Sequence, residues 1–237
     1  MNYRVAIIGA TSGIGKASAL LLSQHNFELI LVGRNESALI ETSVECMALG
    51  AKAAIPVPCD IRDPNECVRI GNAMSDAALP ERFGLINAAG ISSFWPSTSF
   101  DLAATQKIVE TNLLGTIYAT QACLPELLSR PGSVVATIHS IAAVSALPDA
   151  SVYGATKAGT LQYCRSLRAE LRSKGLIVSD LILGATNTPI WDHVQGEFNR
   201  NDMIPCELAA EHLANLIQQN PRASIDEIHV LPPKGVL

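Results

Sequence analysis

The chain is expected to fold as a single α/β domain: a doubly wound parallel sheet of about seven strands with helices on both faces. Three observations predict this. Short β-branched runs alternate with longer segments of helical period along the whole sequence. The strand candidates are near-continuous apolar runs, the pattern of strands buried on both faces. At 237 residues with 48% hydrophobic side chains, the chain can fill one substantial core. Only 16% of its residues are charged, which argues against extensive disorder.

The elements follow in order. Residues 5–8 (Val-Ala-Ile-Ile) read as a buried strand and 13–25 as a helix; 28–32 is the second strand. Asn35 is placed to cap a helix that stops near Gly50, a common C-terminal residue. Residues 53–57 form a third strand, and Asp63-Pro64 opens a helix with Glu66 spaced for a capping box. A strand at 85–86 and a long helix over 101–129 come next, then strand 133–138, helix 151–174 and strand 176–183. A helix over 207–219 and a strand near 228–231 end the pattern. Repeats, low-complexity tracts and linkers are absent, so 1–237 is expected to be one domain. The irregular stretch 186–205 is the one long connection, and such connections often serve as binding loops or lids.

Composition excludes several function classes. Net charge is −5 with no run rich in Lys or Arg, so nucleic acid is not an expected partner. Six cysteines lie scattered without a Cys-x-x-Cys pair and are read as reduced, mostly core-filling thiols. The N-terminal segment enters the first strand without a basic region or cleavage site, and no apolar run reaches the ~18 residues of a spanning helix. A soluble cytoplasmic protein without a membrane partner is the expectation.

The first strand ends in Gly9-Ala10-Thr11-Ser12-Gly13-Ile14-Gly15, and a helix follows at once. Glycines there permit a tight turn and let backbone N–H groups approach a pyrophosphate, while the helix N-terminus presents partial positive charge. An ordinary glycine-rich strand-to-helix turn is the alternative; the position after the first strand favours dinucleotide binding. The spacing Gly-x-x-x-Gly-x-Gly resembles the cofactor turn of the classical short-chain dehydrogenase/reductase (SDR) family. The fold that this resemblance implies is a single-domain Rossmann fold.

The second strand ends Leu31-Val32-Gly33-Arg34, with no acid where a ribose 2′-hydroxyl would be held. Arg34 can instead pair with a 2′-phosphate through its planar fork, or be a solvated arginine flanking a helix start. By similarity to the family, Arg34 and Thr11 face the 2′-phosphate, and NADP(H) is preferred over NAD. Asp60 resembles the family aspartate that bonds the adenine amino group, with Ile61 contributing backbone. Asn87-Ala88-Ala89-Gly90 is similar to the family's Asn-Asn-Ala-Gly segment, Ala88 replacing its second asparagine and leaving room for the adenosine ribose.

Ser151-Val152-Tyr153-Gly154-Ala155-Thr156-Lys157 sets Tyr153 and Lys157 four apart, on one helix face. A free phenol has a pKa near ~10, and a nearby ammonium lowers it, which makes the pair a sensible acid–base unit. Tyr-x-x-x-Lys alone arises easily by chance. Its weight comes from company in the family's order. Ser140 after the fifth strand resembles the serine that donates a hydrogen bond to the substrate oxygen. Asn112, in Thr111-Asn112-Leu113-Leu114-Gly115, is a poor helix-interior residue read alone; it resembles the asparagine that helps hold a water connecting Lys157 to solvent. Leu183-Gly184-Ala185-Thr186-Asn187-Thr188 is similar to the family's Pro-Gly-x-x-x-Thr, which holds the nicotinamide carboxamide. Leu183 replaces the proline, so weaker pre-organisation is expected there.

The resemblance implies an oxidoreductase that interconverts a carbonyl and a secondary alcohol. Ser92-Ser93-Phe94-Trp95, 141–149 and 190–203 should line the substrate pocket, and Trp95, Trp191 and Phe198 either greet a partly apolar or aromatic guest or pack the lid or a subunit contact. His193 is expected to face solvent. A serine hydrolase would want Gly-x-Ser-x-Gly, which is absent, and a metal enzyme would want clustered ligands, whereas His25, His139, His193, His212 and His229 are dispersed. An epimerase of the extended branch needs more chain. The remaining alternative is a nucleotide-binding regulator or scaffold without turnover, against which the intact Ser140, Tyr153 and Lys157 count. Small and apolar residues on 101–129 and 151–174 suggest a homodimer or homotetramer.

Overall fold

The computed structural model describes residues 3–75, 80–92, 94–99, 101–194 and 198–235. Seven parallel strands form one sheet in the order β3-β2-β1-β4-β5-β6-β7, with β1 Tyr3–Ile8, β2 Glu28–Gly33, β3 Ala53–Pro58, β4 Arg82–Asn87, β5 Val134–Ser140, β6 Ile177–Leu183 and β7 Glu227–Val230. Side chains alternate across the sheet, and both faces are buried. Val5, Ile7, Leu29 and Leu31 pack on one side beneath α1 (Gly13–Ser23), α2 (Glu36–Ala48) and α7 (Cys206–Ile217). Ala6, Ile8, Ile30, Val32, Phe83 and Leu85 pack on the other beneath α3 (Pro64–Met74), α5 (Gly115–Ser129) and α6 (Ser151–Leu171). This two-sided burial is why the strands read as continuous apolar runs.

The chain order reverses between β1 and β4, which pair from Tyr3↔Arg82 to Ile8↔Asn87. A crevice opens at such a switch point, outside the carboxyl ends of the strands. β3 is an edge strand, and Pro56 and Pro58 stand in it. Cys59 N–H donates inward to Gly33 O, so by alternation the amides of 56 and 58 would face the free edge; proline removes both donors.

Three expectations need correction. The helix over 101–129 is continuous but not uniform: α4 (Leu102–Ile108) passes into a π-helical segment, Val109–Leu114, before α5. The capping box at Asp63 does not close. Asp63 accepts from Asn65 N–H, but the Glu66 carboxylate reaches back to Asp60 N–H at 2.8 Å instead. The fourth strand is longer than its apolar core, because polar Arg82 opens it by donating to the Tyr3 hydroxyl and Gln219 O. None of the described helices is long and apolar enough to cross a membrane.

Candidate active site

At the end of β1, Gly9 turns with φ +86°, and its N–H and that of Ala10 both donate to Val32 O. A Cβ on Gly9 would lie 2.9 Å from Ala89 Cα, and one on Gly15 would run into the Gly9 carbonyl. No side chain larger than hydrogen fits either place. Ser12 sits extended at the N-cap of α1 but its side chain makes no capping bond, and the first turn carries no acid. The first-turn amides of α1 are thus left for another acceptor, and the dipole there favours an anion.

A cavity of about 430 Å³ lies along this turn and across the carboxyl ends of the strands. That is the size range of ligand clefts. The structure brings to it Gly9, Thr11, Ser12, Gly13, Ile14, Arg34, Asp60, Ile61, Ala88, Gly90, Ser140, Tyr153, Lys157, Gly184, Thr186 and Thr188. Gly15, Asn87 and Asn112 are not among its lining residues. Gly15 packs beneath the turn. Asn87 points into the core, donating to Thr120 at 3.0 Å and Thr137 at 3.2 Å, and so ties β4 to α5 and β5. Neutral hydroxyls on those neighbours draw the amide inward, away from the cleft.

At one end of the cavity, exposed Arg34 has no ion-pair partner among the described residues. Asp60 is engaged by a residue the sequence reading passed over. Arg62 Nε donates to both carboxylate oxygens at 3.0 Å and Nη2 adds a bond of 2.5 Å. These bonds hold the Asp60 carboxyl below its ordinary pKa despite partial burial, with Arg34 adding a smaller push. Arg62 carries no motif signal, since an i,i+2 ion pair across a turn depends on the turn's conformation.

At the other end stand Ser140, Tyr153 and Lys157. Ser140 closes β5, and its Oγ accepts from Ala142 N–H at 3.2 Å. Lys157 Nζ is buried, donates to Ile138 O at 3.1 Å and lies 6.0 Å from the centre of the Tyr153 ring. A Cβ at position 90 would stand 3.4 Å from that ammonium and 3.5 Å from Asn112 Oδ1, ordinary contact distances, so glycine keeps this wall open without being sterically required. Burial pushes Lys157 down to about 8. Burial also raises the Tyr153 phenol, and a hydrogen bond with Ser140 offsets this only in part. The expected lowering of the phenol by the lysine is therefore corrected. Both groups share a buried face of α6, where loss of water penalises each charged form and dominates both shifts.

Asn112 lies inside the π-helical segment, buried. It accepts from Ile91 N–H at 2.9 Å, donates to Ile91 O at 2.8 Å and reaches Thr156 on α6 at 3.3 Å. An amide is the side chain that can pair with both backbone groups of one residue. The π segment turns Thr111 to the cavity and Asn112 behind it. A reading at 3.6 residues per turn cannot supply that phase.

The loop after β6 is better held than the missing proline suggests. Gly184 N–H bonds Val230 O at 2.9 Å, Ile204 N–H bonds Ala185 O at 2.9 Å, and Thr186 bridges to Ile204. Trp191 lines the cavity and donates from Nε1 to Thr186 O at 2.9 Å, with Phe198 packed on it at 4.8 Å. Trp95 does not line the cavity; its N–H is anchored to Asp149 O. Within the segments expected to line the pocket, Ser93, the stretch 195–197 and the His193 side chain lie outside the described residues.

Behind Ser140, the fold gathers residues that are far apart in sequence. His139, Cys164 and Asp180 are buried with their ligand-type atoms within 4.8 Å of one another. Both Asp180 oxygens are already used, one by His139 Nε2 at 2.7 Å and one by Arg168. Burial keeps His139 below its ordinary pKa, so the neutral ring donates from Nε2.

Comparison with known proteins agrees with this geometry. The family model described as short chain dehydrogenase matches residues 4–197. The chain is 30% identical over 251 residues to sulfoacetaldehyde reductase 2 of Chromohalobacter salexigens, covering 99% of this chain and 96% of that protein. It is 29% identical over 246 residues to sepiapterin reductase of Chlorobaculum tepidum, covering 99% and 98%. The solved structure of a short-chain type dehydrogenase/reductase from Mycobacterium ulcerans superposes with a TM-score of 0.86 at 26% identity, covering 98% of this chain and 88% of that one. By fold, cavity and sequence the chain belongs to the short chain dehydrogenase family and is an oxidoreductase.

Proposed function

We propose that this protein interconverts a carbonyl and a secondary alcohol with NADP(H), with Tyr153 as acid and base. The observation that carries the reading is a single cavity with two ends. The glycine turn, the uncapped α1 N-terminus and Arg34 form one; Ser140, Tyr153 and Lys157 form the other.

The lining fits a nicotinamide dinucleotide. The α1 amides suit the pyrophosphate, Thr11 and Arg34 a 2′-phosphate, and Asp60 with Ile61 the adenine edge. Ala88 and Gly90 leave room for ribose, and Gly184, Thr186 and Thr188 suit the carboxamide. Bound there, the dinucleotide supplies hydride to a carbonyl carbon or takes it from an alcohol. Ser140 holds the substrate oxygen through its hydroxyl. Tyr153, protonated at neutral pH because burial raises its pKa, gives its proton to the oxygen in reduction and recovers it in oxidation. Lys157 is buried, its ammonium is bound to Ile138 O, and the residue lines the cavity, where it suits the nicotinamide ribose. Asn112 fixes Gly90-Ile91 against α6, holding the wall on which that lysine rests.

A panel of carbonyl compounds assayed with NADPH and NADH in parallel tests this reading, with Tyr153→Phe as control. Turnover is expected with NADPH in preference to NADH, and the variant is expected to retain cofactor binding by fluorescence titration while turnover falls by orders of magnitude. NADH preference would overturn the role of Arg34. Unchanged turnover in the variant would overturn the role of Tyr153.

A further inference from the structure

We infer that the Tyr153 end of the cavity selects neutral carbonyl compounds carrying a flat apolar group, and rejects those carrying a carboxylate, sulfonate or phosphate. The inference rests on the reading above that Tyr153 acts on a carbonyl in this cavity. Two independent sets of observations support it, one of shape and one of charge.

The shape is an aromatic wall. Tyr153 and Trp191 line the cavity, and Phe94, not itself a lining residue, supports both: its ring lies 5.8 Å from Tyr153, and 6.2 Å from Trp191 with only 17° between the planes. Leu147 packs into the same cluster as Phe94 and Tyr153. The indole N–H of Trp191 is already spent on Thr186 O, so the side chain is fixed and offers the pocket an apolar face. Fixed aromatic faces favour flat apolar guests over flexible aliphatic ones.

The charge argument comes from where the cations go. Among the described residues lining the cavity, the charged side chains are Arg34, Asp60 and Lys157. Arg34 and Asp60 follow β2 and β3, at the opposite end. The Lys157 ammonium is already bound to Ile138 O and, on the reading above, is turned to the nicotinamide ribose. The lid has a further arginine, but its charge is taken. Arg200 Nη2 pairs with Asp192 at 2.6 Å, and Nη1 donates to Asn187 Oδ1 at 3.2 Å and Thr188 O at 3.1 Å. An anionic substituent would leave water without gaining a counter-charge, and that desolvation is uncompensated. Ser92, whose buried hydroxyl has no partner among the described residues, supplies neutral hydrogen bonding instead. The protein should thus differ from its relative named for sulfoacetaldehyde, a sulfonate, which is 30% identical.

The test uses matched pairs: methyl benzoylformate against benzoylformate, and methyl pyruvate against pyruvate, with sulfoacetaldehyde as a further anion. With wild-type protein and NADPH, kcat/KM is expected to be at least tenfold higher for each ester than for its acid, and tenfold higher for methyl benzoylformate than for methyl pyruvate. Phe94→Ala and Trp191→Ala should collapse the phenyl preference while keeping the ester-over-acid ratio. Ile190→Lys, which sets a cation on the cavity wall, should raise the acid relative to the ester by at least tenfold. Binding to the Tyr153→Phe protein with NADP⁺ present, followed by ligand-observed NMR, reads the same selectivity without turnover. Equal or better binding of benzoylformate than of its ester overturns the charge inference. A phenyl preference that survives both aromatic substitutions overturns the shape inference. Failure of the wild type to reduce any carbonyl compound, with ester-selective binding intact, overturns instead the acid/base reading on which the inference rests.

Discussion

Lys157 is held in the fold at an energetic cost, and replacing it with methionine should reveal how large that cost is. Burial moves its pKa from the ordinary 10.5 to about 8. At about 1.4 kcal/mol for each tenfold change in proton affinity, keeping the ammonium buried at pH 7 costs about 3 kcal/mol. Methionine keeps much of the length and apolar volume of the stem and carries no charge. It also strips the Ile138 carbonyl of its donor, a loss of about 2 kcal/mol. Lys157→Met is therefore expected to be about 1 kcal/mol more stable than wild type at pH 7, although it should be inactive. The sign reverses with pH. Between about 8 and 10.5 the unfolded chain still holds the proton that the folded chain has released, so the Lys157 contribution to stability rises with pH across that window, by about 3 kcal/mol in all. The variant lacks that contribution and should be about 2 kcal/mol less stable than wild type near pH 10.5. Urea unfolding of both proteins at several pH values between 7 and 10.5 measures the difference, in which other titrating groups cancel. A difference that does not change with pH would refute the reasoning, because it would mean that Lys157 is not held as a buried, destabilised cation.

Two further outcomes follow from the π-helical segment and its neighbourhood. Asn112→Ala leaves both backbone groups of Ile91 without their partner and should cost about 2–4 kcal/mol in urea unfolding, with faster amide exchange at Ile91. Asn112→Asp should not restore stability, because a carboxylate can accept from Ile91 N–H but cannot donate to Ile91 O; full rescue would sink the two-bond account. The surface beside this segment is lined by Val109, Leu113, Ser151, Val152, Ala155 and Thr156, mostly small or apolar residues that suit a helix-to-helix contact with a second copy of the chain. Light scattering at micromolar concentration is expected to give a dimer or tetramer mass, and a monomer mass would refute it.

Much of the architecture was legible because its causes are local. Strands buried on both faces are apolar at nearly every position, so 5–8, 28–32 and 176–183 read as parallel strands despite Glu28, Ser179 and Asp180. The glycine turn was legible for the same reason. The φ of +86° at Gly9 favours glycine by itself, and the Gly9 carbonyl in the same turn excludes a Cβ at Gly15. Tyr153 and Lys157 share a face because helical period alone puts them there.

What was not legible depends on groups that only the fold brings together. Asn87 was expected at the cofactor and turns inward, because Thr120 and Thr137 arrive from other elements to bind it. The grip of Arg62 on Asp60 is a matter of turn conformation, and the phase of Asn112 a matter of one π-helical segment. His139 and Asp180 looked dispersed along the chain, yet adjacent parallel strands set them side by side.

By itself the sequence determined the sheet, the position of the glycine turn and the order of the candidate groups along the cleft, since each follows from backbone sterics, helical period or the burial of a run of side chains. The tertiary structure alone decided the electrostatic state of the centre. How far Tyr153 and Lys157 are removed from water depends on everything packed around α6. That loss of solvent raises the phenol and lowers the ammonium, whereas the pair considered on an exposed helix would shift the phenol the other way.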